Sequence, residues 1–242
     1  MDKFYYDLHI HSCLSPCGDN DMTPANIAAM SMLKGLQIIA VTDHNSCKNC
    51  PAVMAACREY GIIAIPGMEL TTSEEVHCLC LFPSLEKAME FDGFVYEHLI
   101  KIPNRKDIFG EQLLYNEEDQ IIGEEPNLLI QATDISFDQV YELVTNYGGI
   151  LIPAHIDKNS FSLLSNLGFI SMDNSFRCAE IFQWEQREAL LEKHAYLKTC
   201  SLISNSDAHR LEAIHEPVFQ LQCESLKRED ILKSLTFLPS KV

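Results

Sequence analysis

Residues 5–24, YYDLHIHSCLSPCGDNDMTP, decide how the rest of this chain is read. The stretch begins as an apolar, aromatic run of the kind that forms a buried strand, yet it closes on two histidines, His9 and His11, around a single isoleucine. Residues i and i+2 of a strand point to the same face, so both imidazoles aim their nitrogens at one place. That costs free energy unless something accepts those lone pairs, and a metal ion is the natural acceptor. A lone H-x-H is weak, so the other ligands must come from elsewhere in the chain. Thr23-Pro24 then supplies an N-cap and first-turn pair for a helix over Ala25–Lys34, with Gly35 as its stop.

Working outward, short apolar runs alternate with helical patterns. The strand runs are Phe4–Ile10, LQIIAVT, IIAIPG, EVHCLCLF, ILIPA, AEIFQ and SLISNS, seven in all. Between them fall a helix opened by Pro51 and closed by Gly61, and another from about Ser84 to Ile100. A further helix has a Ser136/Gln139 capping box and ends at Gly148-Gly149. Glu185–Lys198 reads as one helix, and a last one starts near Lys227. Such βα alternation predicts an α/β fold with a parallel sheet or barrel. Residues 103–132 break the pattern: EQLLYNEEDQIIGEE places apolar flanks around a polar turn and reads as a hairpin excursion. No repeat or linker divides the chain, so residues 1–242 are expected to form a single domain.

The chain has 242 residues, 47% hydrophobic and 22% charged, which suits one barrel-sized domain with an insertion. No run approaches the ~20 apolar residues that span a bilayer, and the N-terminus lacks a secretory pattern. Ten cysteines without such a signal point to reduced thiols in a cytoplasm, with no membrane partner. The formal charge of −17 counts against long nucleic acid as a partner, since there is no basic face to release counterions.

In a parallel barrel, chemistry gathers at the C-terminal ends of the strands. The first run here ends at His9 and His11, and IIAVTDHN ends at Asp43 and His44. IAIPGMEL delivers Glu69, ILIPAHID ends at His155, and LISNSDAH ends at Asp207 and His209. His77 instead opens HCLCLF, so that strand either runs the other way or is bounded differently. Any one strand-end histidine is ordinarily a hydrogen-bonded structural residue. Six of the nine histidines in this pattern, mixed with carboxylates, need cations to neutralise them. His98, His194 and His215 lie in helical or loop context and read as surface or structural. Imidazole with carboxylate suits Zn, Mn or Fe at a hydrolytic centre, and a carboxylate such as Glu69 can bridge two ions. Asp43 reads as an orienting partner of a ligand rather than a ligand itself. Cys47-x-x-Cys50 and the Cys13/Cys17 pair lack the second pair or the redox context that would give them a function, and read as structural.

H-x-H, T-D-H, G-x-E, a lone histidine, P-A-H and S-D-A-H, in that order from Asp7 to Arg210, resemble the polymerase and histidinol phosphatase (PHP) superfamily. The resemblance implies a distorted seven-stranded βα barrel, TIM-barrel-like, carrying a trinuclear centre of divalent ions. It implies a phosphoesterase acting through a metal-activated hydroxide on a small phosphomonoester or short nucleotide, with Glu69, Asp207 and His209 catalytic. One ion would take His9, His11, Glu69 and Asp207, a second Glu69, His77 and His155, and a third Asp19, His44 and His209. The family usually has Ser-Asp-Gly five residues after H-x-H, whereas SPCGDNDMTP carries two extra residues and two aspartates. Counting back from Thr23-Pro24 selects Asp19, with Asp21 as the alternative. Arg177, Arg105, Lys158 and Arg210 are candidate cations for an anionic substrate, because guanidinium and ammonium groups match phosphate. Two other readings stand beside this one: a non-catalytic metal-bound module that binds a partner, and a metal-dependent hydrolase of C–N or C–O bonds.

Overall fold

The computed structural model describes residues 2–237. Its strands are β1 (Asp2–Ile10), β2 (Ile38–Val41), β3 (Ile63–Thr71), β4 (His77–Leu81), β5 (Leu113–Tyr115), β6 (Ile121–Glu124), β7 (Ile150–Pro153), β8 (Cys178–Glu180), β9 (Ser201–Ile203) and β10 (Gln220–Cys223). The helices are α1 (Pro24–Leu33), α2 (Cys50–Glu59), α3 (Leu85–His98), α4 (Lys106–Phe109), α5 (Phe137–Asn146), α6 (Leu163–Asn166), α7 (Arg187–Lys193) and α8 (Arg228–Thr236). Among the described residues no helix is long and apolar enough to cross a membrane.

Local chemistry sets these boundaries as expected. Thr23 Oγ1 accepts the Asn26 N–H at 3.2 Å at the start of α1, and Gly35 takes φ +73° just past its end. The Ser136/Gln139 capping box opens α5. Within residues 103–132, β5 pairs antiparallel with β6.

One sheet runs in the order β10-β1-β2-β3-β4-β7. β1, β2 and β3 are parallel, whereas β4 runs antiparallel to both β3 and β7. β8 and β9 form a separate parallel pair. The sheet curls until the chain after β9 returns to β1 through a parallel bridge between Ile10 and Ala208. The fold is therefore mixed α/β with a curled, barrel-like sheet, and the ladder does not close as a seven-stranded barrel. β10 adds an antiparallel edge strand that periodicity alone did not mark.

Side chains from six of the seven expected runs nonetheless share one central cluster, Tyr6 and Leu8, Ile38 and Ala40, Ile65, Leu79 and Leu81, Ile152 and Ile203, joined by Cys178 at the start of β8. α8 and β10 close its lower end with Leu221, Ile231, Leu232 and Leu235. At Gly67 a Cβ would lie 2.5 Å from the Cys80 carbonyl oxygen, so only glycine lets β3 and β4 approach there.

Three expected elements differ. The strand expected at AEIFQ starts earlier and is shorter, because the Phe182 and Gln183 N–H groups donate to the Asp157 carboxylate at 2.7 and 2.9 Å instead of to a neighbouring strand. SLISNS stops at Ile203, beyond which Asn205 accepts the Leu8 N–H through its side chain. The single helix expected over Glu185–Lys198 breaks at His194 into α7 and a 3-10 turn over Ala195–Thr199. That break lets Tyr196 bury its ring and donate its hydroxyl to the Phe176 carbonyl at 2.6 Å.

Candidate metal centre

A register shift in β1 between Asp7 and Ile10 aims the site. Leu8 faces the central cluster, yet Ile10, two residues on, packs outward against α1 and α2. The bulge flips the alternation and turns His9 and His11 inward, both fully buried. His44 follows β2, Glu69 lies within β3, His155 follows β7, and Asp207 and His209 follow β9. His77 opens β4, but that strand is antiparallel, so its first residue sits at the same end of the sheet. The apparent exception is a reversal of strand direction.

Glu69 is the hub. Its Oε1 lies 3.2 Å from His9 Nε2, 2.9 Å from His77 Nδ1 and 3.2 Å from His155 Nε2. Its Oε2 lies 3.0 Å from His44 Nδ1 and 3.4 Å from His11 Nε2. Asp207 Oδ1 sits 3.3 Å from both His9 Nε2 and His11 Nε2. The two Nε2 atoms are 3.2 Å apart. Donors on a tetrahedral ion with bonds of about 2.0–2.1 Å stand about 3.3 Å from one another. Buried nitrogens of His44, His77 and His155, with Glu69 Oε2, also have no hydrogen-bond partner. Four overlapping triads have mutually close ligand atoms: His9-His11-Glu69, His9-His155-Asp207, His44-Glu69-His77 and His11-His44-His209. The residues fit divalent metal ions.

Charge within the cluster is mutually dependent. Burial opposes a charged His9, but the Glu180, Asp207 and Glu69 carboxylates outweigh it and raise the ring well above the ordinary value. Burial likewise opposes charge on His11 and His44, and neighbouring carboxylates lift each to about 9. Burial dominates at His77 and His209, which fall to about 4 and about 3. Burial would raise Glu69 and Asp207, yet the surrounding imidazoles hold both well below the usual carboxylate range.

Eight of the nine expected ligands thus meet: His9, His11, His44, Glu69, His77, His155, Asp207 and His209. Asp19 does not join these triads. Its residue is exposed and its carboxylate accepts the Asp21 N–H at 3.0 Å, although its own N–H donates to the His209 carbonyl. Asp21 is also exposed. Asp43 acts on the ligands through serines: its carboxylate accepts Ser12 and Ser15 hydroxyls at 2.6 and 2.7 Å, and Ser15 Oγ lies 2.9 Å from His11 Nδ1. Of the candidate cations, Lys158 pairs with Asp207 at the centre. Arg210 follows His209 and is exposed, whereas Arg105 pairs with Asp107 at 2.9 Å in the excursion. Arg177 precedes β8 and so lies at the opposite end of that strand from the cluster, with Nη1 on the Tyr196 hydroxyl at 2.8 Å.

Glu180 was missed. It ends β8, is buried, and contacts His9 Nδ1 at 3.0 Å, while also accepting the His155 N–H at 2.7 Å and Asn205 Nδ2 at 2.7 Å. The strand-end rule that found the other ligands would have found it, had AEIFQ been ended at its carboxylate. His155 and Asp207 adopt φ of 30° and 52°, the left-handed region that non-glycine residues populate only when their surroundings enforce it.

A family model described as the PHP domain matches residues 7–212. The chain belongs to the PHP family. The 5'-3' exoribonuclease of Haemophilus influenzae is 31% identical over 70 residues, 29% of this chain and 24% of that protein. The chain spans less than half the length of the curated relatives it matches. Among solved structures, the lesion-specific endonuclease Q of Pyrococcus furiosus is similar at TM-score 0.67 and 19% identity, over 99% of this chain and 57% of that one. A Bifidobacterium adolescentis protein described as a metal-dependent phosphoesterase is similar at TM-score 0.60 and 18% identity, over 95% of this chain and 94% of that one. At these identities the likeness establishes the fold. The chain shares the PHP fold, and its clustered imidazoles and carboxylates are of the kind that could hold divalent ions.

Proposed function

We propose that this PHP protein hydrolyses phosphoester bonds of a small phosphomonoester or short nucleotide at a centre of three divalent ions. The observation that carries this reading is Glu69, one buried carboxylate within 3.4 Å of nitrogens from five histidines. His9, His11, Glu69 and Asp207 would hold one ion, and Glu69, His77 and His155 a second. His44 and His209 would contribute to the third. Ions held there supply Lewis acidity and lower the pKa of bound water. Among the chain's own groups, Lys158 stands beside Asp207 as a fixed cation for the substrate phosphate. Glu180 and the Asp43–Ser15 pair orient His9 and His11, which keeps their Nε2 atoms directed at the centre.

Endonuclease Q has been solved with a 27-mer duplex bearing an abasic lesion, so the fold is compatible with DNA in that protein. A charge of −17 favours a small substrate here, because duplex binding draws on basic contacts to phosphates. The test is turnover of phosphomonoesters, dinucleotides, lesion-bearing duplex DNA and amide substrates, before and after chelation. The reading requires chelator-sensitive release from a small phosphoester. Activity only on duplex DNA, or only on C–N bonds, would overturn the substrate assignment.

A further inference from the structure

We infer that Phe161 and Phe182 form an aromatic rim beside the metal centre, and that the substrate is a phosphate ester bearing a planar ring, a nucleotide in place of a bare sugar phosphate. This rests on the phosphoesterase reading above and narrows its substrate. Phe161 lies flat against the His77 ring, with centroids 4.9 Å apart and planes inclined by 21°. His77 is buried with Nδ1 2.9 Å from Glu69, so the 41% of Phe161 that is exposed lies away from that imidazole. The Phe161 backbone takes φ 53°, which is costly for a bulky side chain, and its carbonyl accepts the His77 N–H at 3.1 Å. Phe182 is 51% exposed, and the Lys158 ammonium stands 5.0 Å from its ring centre while pairing with Asp207.

The segment from His155 to Ser162 holds these parts together. Lys158 N–H donates to the His155 carbonyl at 2.9 Å, and the Ser162 hydroxyl donates to the Lys158 carbonyl at 2.7 Å. Asp157 accepts the Phe182 N–H at 2.7 Å and so ties the second ring to the same segment. This stretch thus carries a candidate ligand, a cation and a strained phenyl, and it fixes another phenyl next to the cation. Single exposed apolar side chains are common on protein surfaces. Here, however, one exposed ring covers a candidate metal ligand and the other meets the ammonium that pairs with Asp207. A phosphate drawn to Lys158 brings the rest of its ester alongside these rings. Phenyl faces give sugar hydroxyls no hydrogen-bond partner, whereas a base stacks on them in an offset arrangement whatever its identity.

The test compares adenosine monophosphate with ribose phosphate, the same ester with and without its base, on the full metal-loaded chain. The inference predicts a kcat/KM about 10–100-fold higher for the ester that carries the base. That ratio should fall toward one in Phe161→Leu and in Phe182→Leu, and should be kept in Phe182→Trp. Reading the ratio within each variant cancels any loss of metal or fold that both substrates share. Equal turnover of the two esters by the parent protein, or a ratio that neither leucine variant moves, overturns the inference and leaves the phosphoesterase reading standing. If neither ester is hydrolysed, the phosphoesterase reading fails and equilibrium binding of the same two compounds decides this one. Tighter binding of adenosine monophosphate that Phe182→Leu weakens would still support the rim; equal or absent binding of both overturns it.

Discussion

Glu180 grips the Nδ1 of His9 through both carboxylate oxygens, at 3.0 and 3.2 Å, and so turns Nε2 toward Glu69 and Asp207. A carboxylate on one ring nitrogen fixes the tautomer and raises the basicity of the other. The same group accepts the His155 N–H, steadying a backbone held at φ 30°. Glu180→Gln keeps the shape and removes the charge. Metal affinity should fall about 10–100-fold, read by competition with a chromophoric chelator, while the fold survives. An unchanged affinity would show that Glu180 does not tune His9.

The cluster also makes metal binding and metal-free stability respond oppositely to pH. Burial works against charge on His11 and His44, but their carboxylate neighbours raise each to about 9. Rings raised above an unfolded value of about 6.5 add stability that is fully present below that pH and is lost as pH climbs through the folded value. Metal binding requires the same rings to be neutral, so affinity rises over that window. Burial already keeps His77 and His209 neutral, at about 4 and about 3. Between pH ~6.5 and ~9 the Tm of chelated protein should fall, while the added Tm from zinc should grow. Parallel slopes for the two would refute this coupling.

Much of this site was legible because strand ends carry their own signal. A histidine or carboxylate closing an apolar run stands out at His44, His155 and Asp207 without any knowledge of pairing. Strand direction does not stand out, which left His77 ambiguous until β4 was seen to be antiparallel. Nor does a bulge: the i, i+2 argument put His9 and His11 on one face, but the register shift is what turns that face inward. The long-range arginines were least legible. Arg177 is charged and near the strand in sequence, yet it lies at the wrong end of β8.

Lys158 and Asp207 are paired across the mouth of the centre, with the ammonium also 5.0 Å above the Phe182 ring. In stripped protein this ammonium competes with metal for Asp207. Lys158→Met should leave metal affinity equal or slightly higher, whereas KM for a phosphoester should rise about 10–100-fold, matching the ~1.5–3 kcal/mol of a charged hydrogen bond. Lys158→Arg should recover part of the loss. A KM that does not move, with kcat alone reduced, would place the lysine in the chemistry rather than in phosphate binding.

Asn45 joins the loop behind His44 to the 103–132 excursion. Its Nδ2 donates to the Leu129 and Gln131 carbonyls at 2.7 and 2.8 Å, and its Oδ1 accepts the Thr71 N–H at 2.8 Å. The residue is 1% exposed and takes φ 49°, a conformation in which asparagine is tolerated and alanine is strained. Asn45→Ala therefore removes three hydrogen bonds, two of them buried, and adds backbone strain, for a loss of about 3–5 kcal/mol in denaturant unfolding. Asn45→Gly loses the same bonds without the strain and should recover about 1 kcal/mol of that loss. Both variants should also bind metal less tightly, because the His44 loop loses its tether to the excursion. A loss under about 1 kcal/mol for Asn45→Ala, with metal affinity intact, would mean that the excursion rests on the site without supporting it.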